Sequence, residues 1–287
     1  MEAEPEPEPE PEVPGLLRST AGLKELGVWN ERHSLWTRGL RLRDGRVVLI
    51  AEDYATADET ADGVWTLFPA SVVLSRFVEA SLPAHAASED GSRCGSVTTV
   101  ELGAGSGVVS MVAAAAVGAR AFATDQASEL AYVKRNFAIN AGLLGSQAAV
   151  RALGWGVEEH VESAAKILRQ SAPDGLTVLL GADITYRPAA FGILCETLRR
   201  LADAAPGRVR AWLTHDVASE HASGMRGRER FFGTPVSCAE PDGDGADDGL
   251  CTGGLVHEHG FTCRQVSLEK VLQPEWLLPT VSLFELT

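Results

Sequence analysis

Residues 97–107 read Val-Thr-Thr-Val-Glu-Leu-Gly-Ala-Gly-Ser-Gly, and this stretch limits the folds open to the chain more than any other. A β-branched apolar run suited to a strand ends at Glu101-Leu102. Glycines then stand at 103, 105 and 107, and the next ten residues, Val-Val-Ser-Met-Val-Ala-Ala-Ala-Ala-Val, contain neither Gly nor Pro. The order is strand, tight turn, helix. Glycines let the backbone turn sharply and let a ligand lie against bare main chain. The helix start adds unpaired N–H groups and the positive end of the helix dipole. A nucleotide-like ligand suits such a turn.

A second apolar run, Ala121 to Thr124, ends in Asp125, 22 residues beyond Gly103. An acid at the end of the second strand is placed to accept hydrogen bonds from ribose hydroxyls. A dinucleotide fingerprint, G-x-G-x-x-G, needs glycine at 108, and Val108 stands there. That disfavours a nicotinamide-dependent oxidoreductase. The G-x-G-x-G spacing also serves S-adenosylmethionine.

Composition narrows the partners. The 287 residues are 45% hydrophobic, enough for one sizeable α/β core. Residues 1–14 alternate Glu and Pro, cannot bury a face, and read as a solvated acidic leader. Removing its six glutamates from the formal charge of −14 leaves −8. So acidic a body suits a cationic protein surface better than a nucleic-acid backbone. Five cysteines, an odd count with no C-x-x-C, argue against a disulfide framework or zinc ribbon and fit a reducing compartment. No apolar run reaches 18 residues, so no membrane span is expected. Of the histidines, neither His215 with His221 nor His257 with His259 has convincing ligand spacing, and no metal site is expected.

Along the chain, Leu35 to Asp53 carries Asp44-Gly45 between two strand-like runs, a hairpin signal. A polar linker, 56–62, leads to Trp65 and an amphipathic helix pattern through Val78. The Ser/Ala/Gly-rich stretch Pro83 to Gly95 connects to the central strand. A helix is expected over 127–141, with Leu130, Val133, Phe137 and Ile139 towards the core. Strands then alternate with helices to Thr214, which implies a parallel sheet. Residues 261–268 and 280–287 are joined by a segment without a helical repeat, so they form an antiparallel final pair. Residues 233–254, rich in Gly, Asp and Pro, read as a mobile insertion. The expectation is a single α/β domain over 15–287, with an N-terminal hairpin and helix at 35–80. Its sheet has seven strands, mostly parallel, with an antiparallel C-terminal strand.

Ligands in open α/β sheets sit outside the carboxyl ends of the strands. There the chain collects Gly103, Ala104, Gly105, Asp125, Trp155, Ala182, Asp183, Tyr186 and His215. This set resembles the class I, seven-strand S-adenosylmethionine-dependent methyltransferases. More narrowly it resembles the family-sixteen, methyltransferase-like protein-lysine methyltransferases. The residues that carry the resemblance are Gly-Val-Trp at 63–65, Glu-Leu-Gly-Ala-Gly-Ser-Gly at 101–107, Asp125, and Leu-Gly-Trp-Gly at 153–156. Gly-Ala-Asp-Ile-Thr-Tyr at 181–186 and Leu-Phe-Glu-Leu at 283–286 complete it. They span about residues 35–287.

The resemblance implies roles. Gly103, Ala104 and Gly105 line the methionine part of S-adenosylmethionine, Asp125 its ribose, and Trp155 its adenine. Trp65 covers the cofactor and the Ala182 backbone closes the pocket. Asp183 and Tyr186 frame the entry of a lysine from a protein substrate. A monomer in the cytoplasm, with the nucleus as an alternative, is the accompanying expectation. Plainer roles stay open: Trp65 and Trp155 as core aromatics, Asp183 as a helix cap, Tyr186 as packing. A small-molecule N-methyltransferase and a non-catalytic binding scaffold are the other readings of the whole chain.

Overall fold

The computed structural model describes residues 16–18, 35–53, 67–85, 96–217, 227–236 and 249–287. Trp65, the leader 1–14 and the linker 56–62 lie outside the described residues.

The Asp44-Gly45 hairpin is present: β2 (Leu35–Arg41) pairs antiparallel with β3 (Val47–Asp53), and Gly45 turns at φ 89°. A short β1 (Leu16–Arg18), not expected from sequence, adds to the other edge of β2 with Leu16 opposite Leu40. A helix follows, α1 (Pro69–His85), longer than its sequence pattern because Pro83 is accommodated within its last turns.

Among the described residues the principal sheet has nine strands. Five are parallel: β4 (Val97–Leu102), β5 (Arg120–Asp125), β6 (Ala148–Ala152), β7 (Leu176–Ala182) and β8 (Arg208–Asp216). β9 (Gly233–Val236) and β10 (Leu250–Gly253) precede the C-terminal pair, β11 (Cys263–Val266) and β12 (Val281–Leu286). The spatial order is β6-β5-β4-β7-β8-β12-β11-β10-β9, and the last four run antiparallel to their neighbours. Seven of these are the expected strands. The two extra ones come from the ends of 233–254, the stretch read as an insertion, and its centre, 237–248, lies outside the described residues.

Helices cover both faces. Those with labels used below are α2 (Val108–Val112), α3 (Leu130–Ile139), α4 (Glu158–Arg169) and α5 (Phe191–Ala204). On one face the hairpin, α1 and α2 bury Leu40, Ile50, Leu74 and Phe77 against Val178, Leu180 and Trp212. Phe77 meets the Trp212 indole edge to face at 5.0 Å. On the other, α4 and α5 bury Val161, Leu168, Leu194 and Leu198 against Val100, Leu179 and Leu213. Each such side chain contributes about 1.5–3 kcal/mol by leaving water, so the sheet's middle strands are held from both sides.

The helix over 127–141 is shorter than expected, and its buried side differs. Tyr132, Val133, Asn136 and Asn140 are the buried residues, while Leu130, Phe137 and Ile139 are half-buried. The asparagines are inside because β3 has an edge to satisfy. Asn140 accepts from the Leu49 N–H (2.9 Å) and donates to the Leu49 carbonyl (2.7 Å), and Asn136 accepts from the Ala51 N–H (2.9 Å). Two side-chain amides thus stand in for a neighbouring strand and fasten the hairpin to the main body.

Candidate active site

The carboxyl ends of β4, β5, β6 and β7 meet at one rim, because the chain leaves β4 for β5 and later returns to β4's other side as β7. The loop after β4 is built on three left-handed glycines: Gly103 (φ 59°), Gly105 (φ 51°) and Gly107 (φ 76°). This conformation costs an L-residue with a side chain roughly 1–2 kcal/mol. The Ala104 N–H donates to the Thr124 carbonyl (2.9 Å) and the Gly105 N–H to Asp125 Oδ2 (2.8 Å), which ties the loop to the end of β5. Asp125 Oδ1 accepts from the Gln126 N–H at 2.7 Å. Burial pushes the Asp125 carboxyl above its ordinary range, and these N–H donors oppose that shift. Each oxygen accepts one main-chain bond and has capacity for another.

The expected helix after Gly107 is α only as far as Val112 and then opens into a π turn, Ala113–Val117, closed by Gly118. Asn136 Nδ2 donates to the Ser106 carbonyl at 3.0 Å, so the residue that caps β3 also steadies the glycine loop.

Trp155 follows Leu153, whose N–H donates to the Asp125 carbonyl at 2.8 Å. A Cβ placed on Gly103 lies 2.9 Å from Ile184 Cγ2 and 3.6 Å from Trp155 Cζ2. Gly103, Trp155 and the turn after β7 are therefore neighbours. A Cβ on Gly105 meets nothing within 4 Å, so open space lies beside that part of the loop. A wall of bare main chain, an acid with lone pairs to spare and an indole at one rim suit a nucleoside-bearing cofactor.

Asp183 is the one described non-glycine residue at positive φ, 54°. Two bonds to β8 hold it there: its N–H donates to the Thr214 carbonyl (2.9 Å), and its Oδ1 accepts from the Asp216 N–H (3.2 Å). Strain of this kind persists where the surroundings over-determine it and is common at functional sites. Asp183 is not a side-chain cap of the following helical turn, whose N-cap is Arg187 with no side-chain cap bond. Tyr186 is 41% exposed, and the Arg187 guanidinium lies 5.3 Å from its ring centroid. His215, by contrast, is fully buried, bonded at Nδ1 to Thr185 Oγ1 (2.7 Å), with its ring towards Phe232. It supports the turn from behind. His257 and Glu258 lie in a one-turn helix, Leu255–Glu258. The Cys195 thiol is buried and pushed up to about 12, which makes it inert as a nucleophile.

Glu101 was read only as part of the glycine motif. It is wholly buried, accepts from the Ser110 N–H (2.9 Å), and burial pushes its carboxyl up to about 7. A charged residue inside an apolar strand just before a glycine turn was the sequence signal.

A family model described as lysine methyltransferase matches residues 43–221, more than half of the chain. The chain belongs to this lysine methyltransferase family. The match runs from the hairpin turn through β8, so it contains every rim residue discussed above. Similar curated proteins carry the same description. "EEF1A lysine methyltransferase 3" of Mus musculus is 34% identical over 133 residues, 46% of this chain and 49% of that protein. "Protein N-lysine methyltransferase METTL21A" of Mus musculus is 35% identical over 105 residues, 36% of this chain and 44% of that protein. The chain thus spans about half the length of the curated relatives it matches. Among solved structures, "Crystal structure of SMU.776, a putative methyltransferase complexed with SAH" overlaps at a TM-score of 0.44 and 12% identity, over 90% of this chain and 56% of that one.

Proposed function

We propose that this protein transfers a methyl group from S-adenosylmethionine to the side-chain amine of a lysine in a protein substrate. The observation that carries this reading is the meeting of the glycine loop, Asp125, Trp155 and Asp183 at one rim, in a chain of the lysine methyltransferase family. The bare main chain of Gly103 and Gly105 and the carboxylate of Asp125 are the groups that hold the cofactor, with Trp155 beside its base and Ala182 closing the pocket. When bound, S-adenosylmethionine supplies an electrophilic methyl on a sulfonium sulfur.

The chain's own residues have a different task. A lysine ammonium has an ordinary pKa of about 10.4, so at neutral pH it must lose a proton before its lone pair can attack. Asp183, fixed by β8 on both sides, attracts the ammonium, orients it and passes its proton towards water. Tyr186 borders the entrance. Positioning of this kind supplies much of the barrier reduction in a displacement that needs three atoms in line. The negative charge of the chain favours cationic protein segments and disfavours nucleic acid. Among the described residues no helix is long and apolar enough to cross a membrane. The odd cysteine count supports a reducing compartment, which we take to be the cytoplasm, and we take the protein to act as a monomer.

The test is transfer of label. Purified protein is incubated with methyl-tritiated cofactor and a protein extract, followed by mass spectrometry of labelled bands. Label on a lysine, absent with Asp183→Asn, is the expected result. Label confined to the low-mass fraction, or none despite measurable cofactor binding, would overturn the proposal.

A further inference from the structure

A cleft of about 590 Å³ lies away from the glycine loop, between the hairpin, α1 and the β11–β12 connection. Arg41, Arg43, Arg76 and Lys270 line it, with Glu275 as the acid among the lining residues. Arg76 is buried, pairs with Glu79 at 2.9 Å, and stacks its guanidinium 4.1 Å from the Trp276 ring centroid. Its charge is thus answered locally. Arg41, Arg43 and Lys270 are exposed; the Arg43 main-chain N–H donates to Glu79 Oε1 at 2.6 Å, while the charged heads of the three make no ion pair among the described residues. A chain of net charge −14 therefore keeps a basic cleft with an aromatic wall.

The register of β1 gives the direction in which the chain enters it. Leu16 lies opposite Leu40 and Arg18 opposite Arg38, antiparallel. The N-terminal end of β1 therefore lies at the Leu40 end of β2, next to Arg41, which lines the cleft. Glu12 is four residues before Leu16, a reach of about 13 Å when extended. From there back to Glu2, glutamate occupies every second position and proline separates most of them. Alternating proline favours the polyproline II conformation, about 3.1 Å per residue. That spaces the carboxylates by about 6 Å and leaves less freedom to lose on docking. A segment joined to its site by so short a tether meets it at an effective concentration in the millimolar range.

We propose that the Glu/Pro leader, residues 2–12, docks into this cleft of its own molecule, its carboxylates on Arg41, Arg43 and Lys270. The inference does not depend on the methyl-transfer reading. It is tested on the full-length protein at low micromolar concentration with a water-soluble carbodiimide, which joins a carboxylate to an amine with no spacer. Four lysines are available: Lys24, Lys134, Lys166 and Lys270. Peptide mapping is expected to show leader glutamates joined to Lys270 at least tenfold more than to the exposed Lys134 or Lys166. The excess should collapse in 1 M NaCl, where screening shortens to about 3 Å, and in the Arg41→Gln/Arg43→Gln variant, which keeps the reactive lysine. An equal spread over the three lysines, or an excess indifferent to salt, overturns the proposal. So does cross-linking found only between ¹⁴N- and ¹⁵N-labelled copies. Should the double variant lose its thermal transition, the salt series on the unaltered protein decides alone.

Discussion

The Gly105 N–H donates to Asp125 Oδ2 across 2.8 Å, so the loop after β4 and the end of β5 are one unit. The same carboxylate that shapes the loop is the acid proposed above to hold the cofactor. Removing it leaves the half-buried Gly105 N–H without its acceptor and takes a carboxylate away from the loop.

Asp125→Ala is therefore expected to weaken S-adenosylmethionine binding. A hydrogen bond to a charged group contributes about 1.5–3 kcal/mol, which is roughly ten- to a hundredfold in affinity. Calorimetric titration reads this directly. Asp125→Asn can still accept from Gly105 and should fall between the two. Unchanged affinity in the alanine variant would remove Asp125 from the pocket.

The loop glycines separate binding from folding. At Gly105 a Cβ meets nothing within 4 Å, so Gly105→Ala costs only the left-handed backbone, roughly 1–2 kcal/mol. At Gly107 a Cβ falls 2.8 Å from Phe137 Cε2 and 3.1 Å from Val133 Cγ1, so the same change also overpacks α3. Gly105→Ala should lose cofactor affinity at a nearly normal thermal midpoint, and Gly107→Ala should lower the midpoint strongly. The reverse order would mean that the open space at Gly105 is not the cofactor's.

These features differ in how far sequence alone could reach them. Strand, glycines, helix and distal acid are local patterns, and the rim follows from βα alternation, so Gly103, Asp125, Trp155 and Asp183 were legible. The Asp44-Gly45 hairpin was equally so, because turn chemistry is local. The asparagines were not. At 136 and 140 helical spacing puts them beside Val133 and Phe137, but an amide there has no partner visible in the local sequence, and only the unpaired edge of β3, some 85–91 residues earlier, explains their burial. β9 and β10 were missed for a similar reason. Their Gly- and Pro-containing sequences are poor strands alone and pair only because the sheet offers an edge.

Asn136 thus carries a prediction of its own. It accepts from the Ala51 N–H and donates to the Ser106 carbonyl, so Asn136→Ala orphans two buried groups. At about 1–3 kcal/mol each, a loss of about 2–6 kcal/mol in chemical denaturation is expected. Amide exchange should accelerate at Ala51 more than at the centre of β7. Uniform acceleration across the molecule would count against a local fastening role.

Glu101 makes stability depend on pH. Its carboxyl ionises near 4.5 in an unfolded chain and, raised by burial, at about 7 in the folded one. Its favourable contribution is thus complete below pH 4.5 and lost as pH rises to 7. At 1.36 kcal/mol per unit, the loss is about 3 kcal/mol. Glu101→Gln keeps an acceptor for the Ser110 N–H and cannot ionise. Its stability relative to the unaltered protein should climb by about that amount between pH 4.5 and 7.5 in urea titrations. A difference constant across that range would show that Glu101 does not titrate there.

Asp183 tests whether the strained carboxylate serves chemistry or folding. Asparagine tolerates the left-handed region nearly as well and can accept from the Asp216 N–H as Oδ1 does. Asp183→Asn should therefore hold the thermal midpoint within about 2 °C and cofactor affinity within a few-fold. The charge that attracts an ammonium and takes its proton is gone, and a general base commonly contributes 10²–10⁴-fold. Turnover on a lysine substrate should drop at least a hundredfold. The part of the loss due to proton removal should shrink as pH rises towards the amine's own pKa. Were Asp183→Asn as active as the unaltered protein, the strain at φ 54° would belong to the β7–β8 junction alone, and Tyr186 or bulk water would have to receive the proton instead.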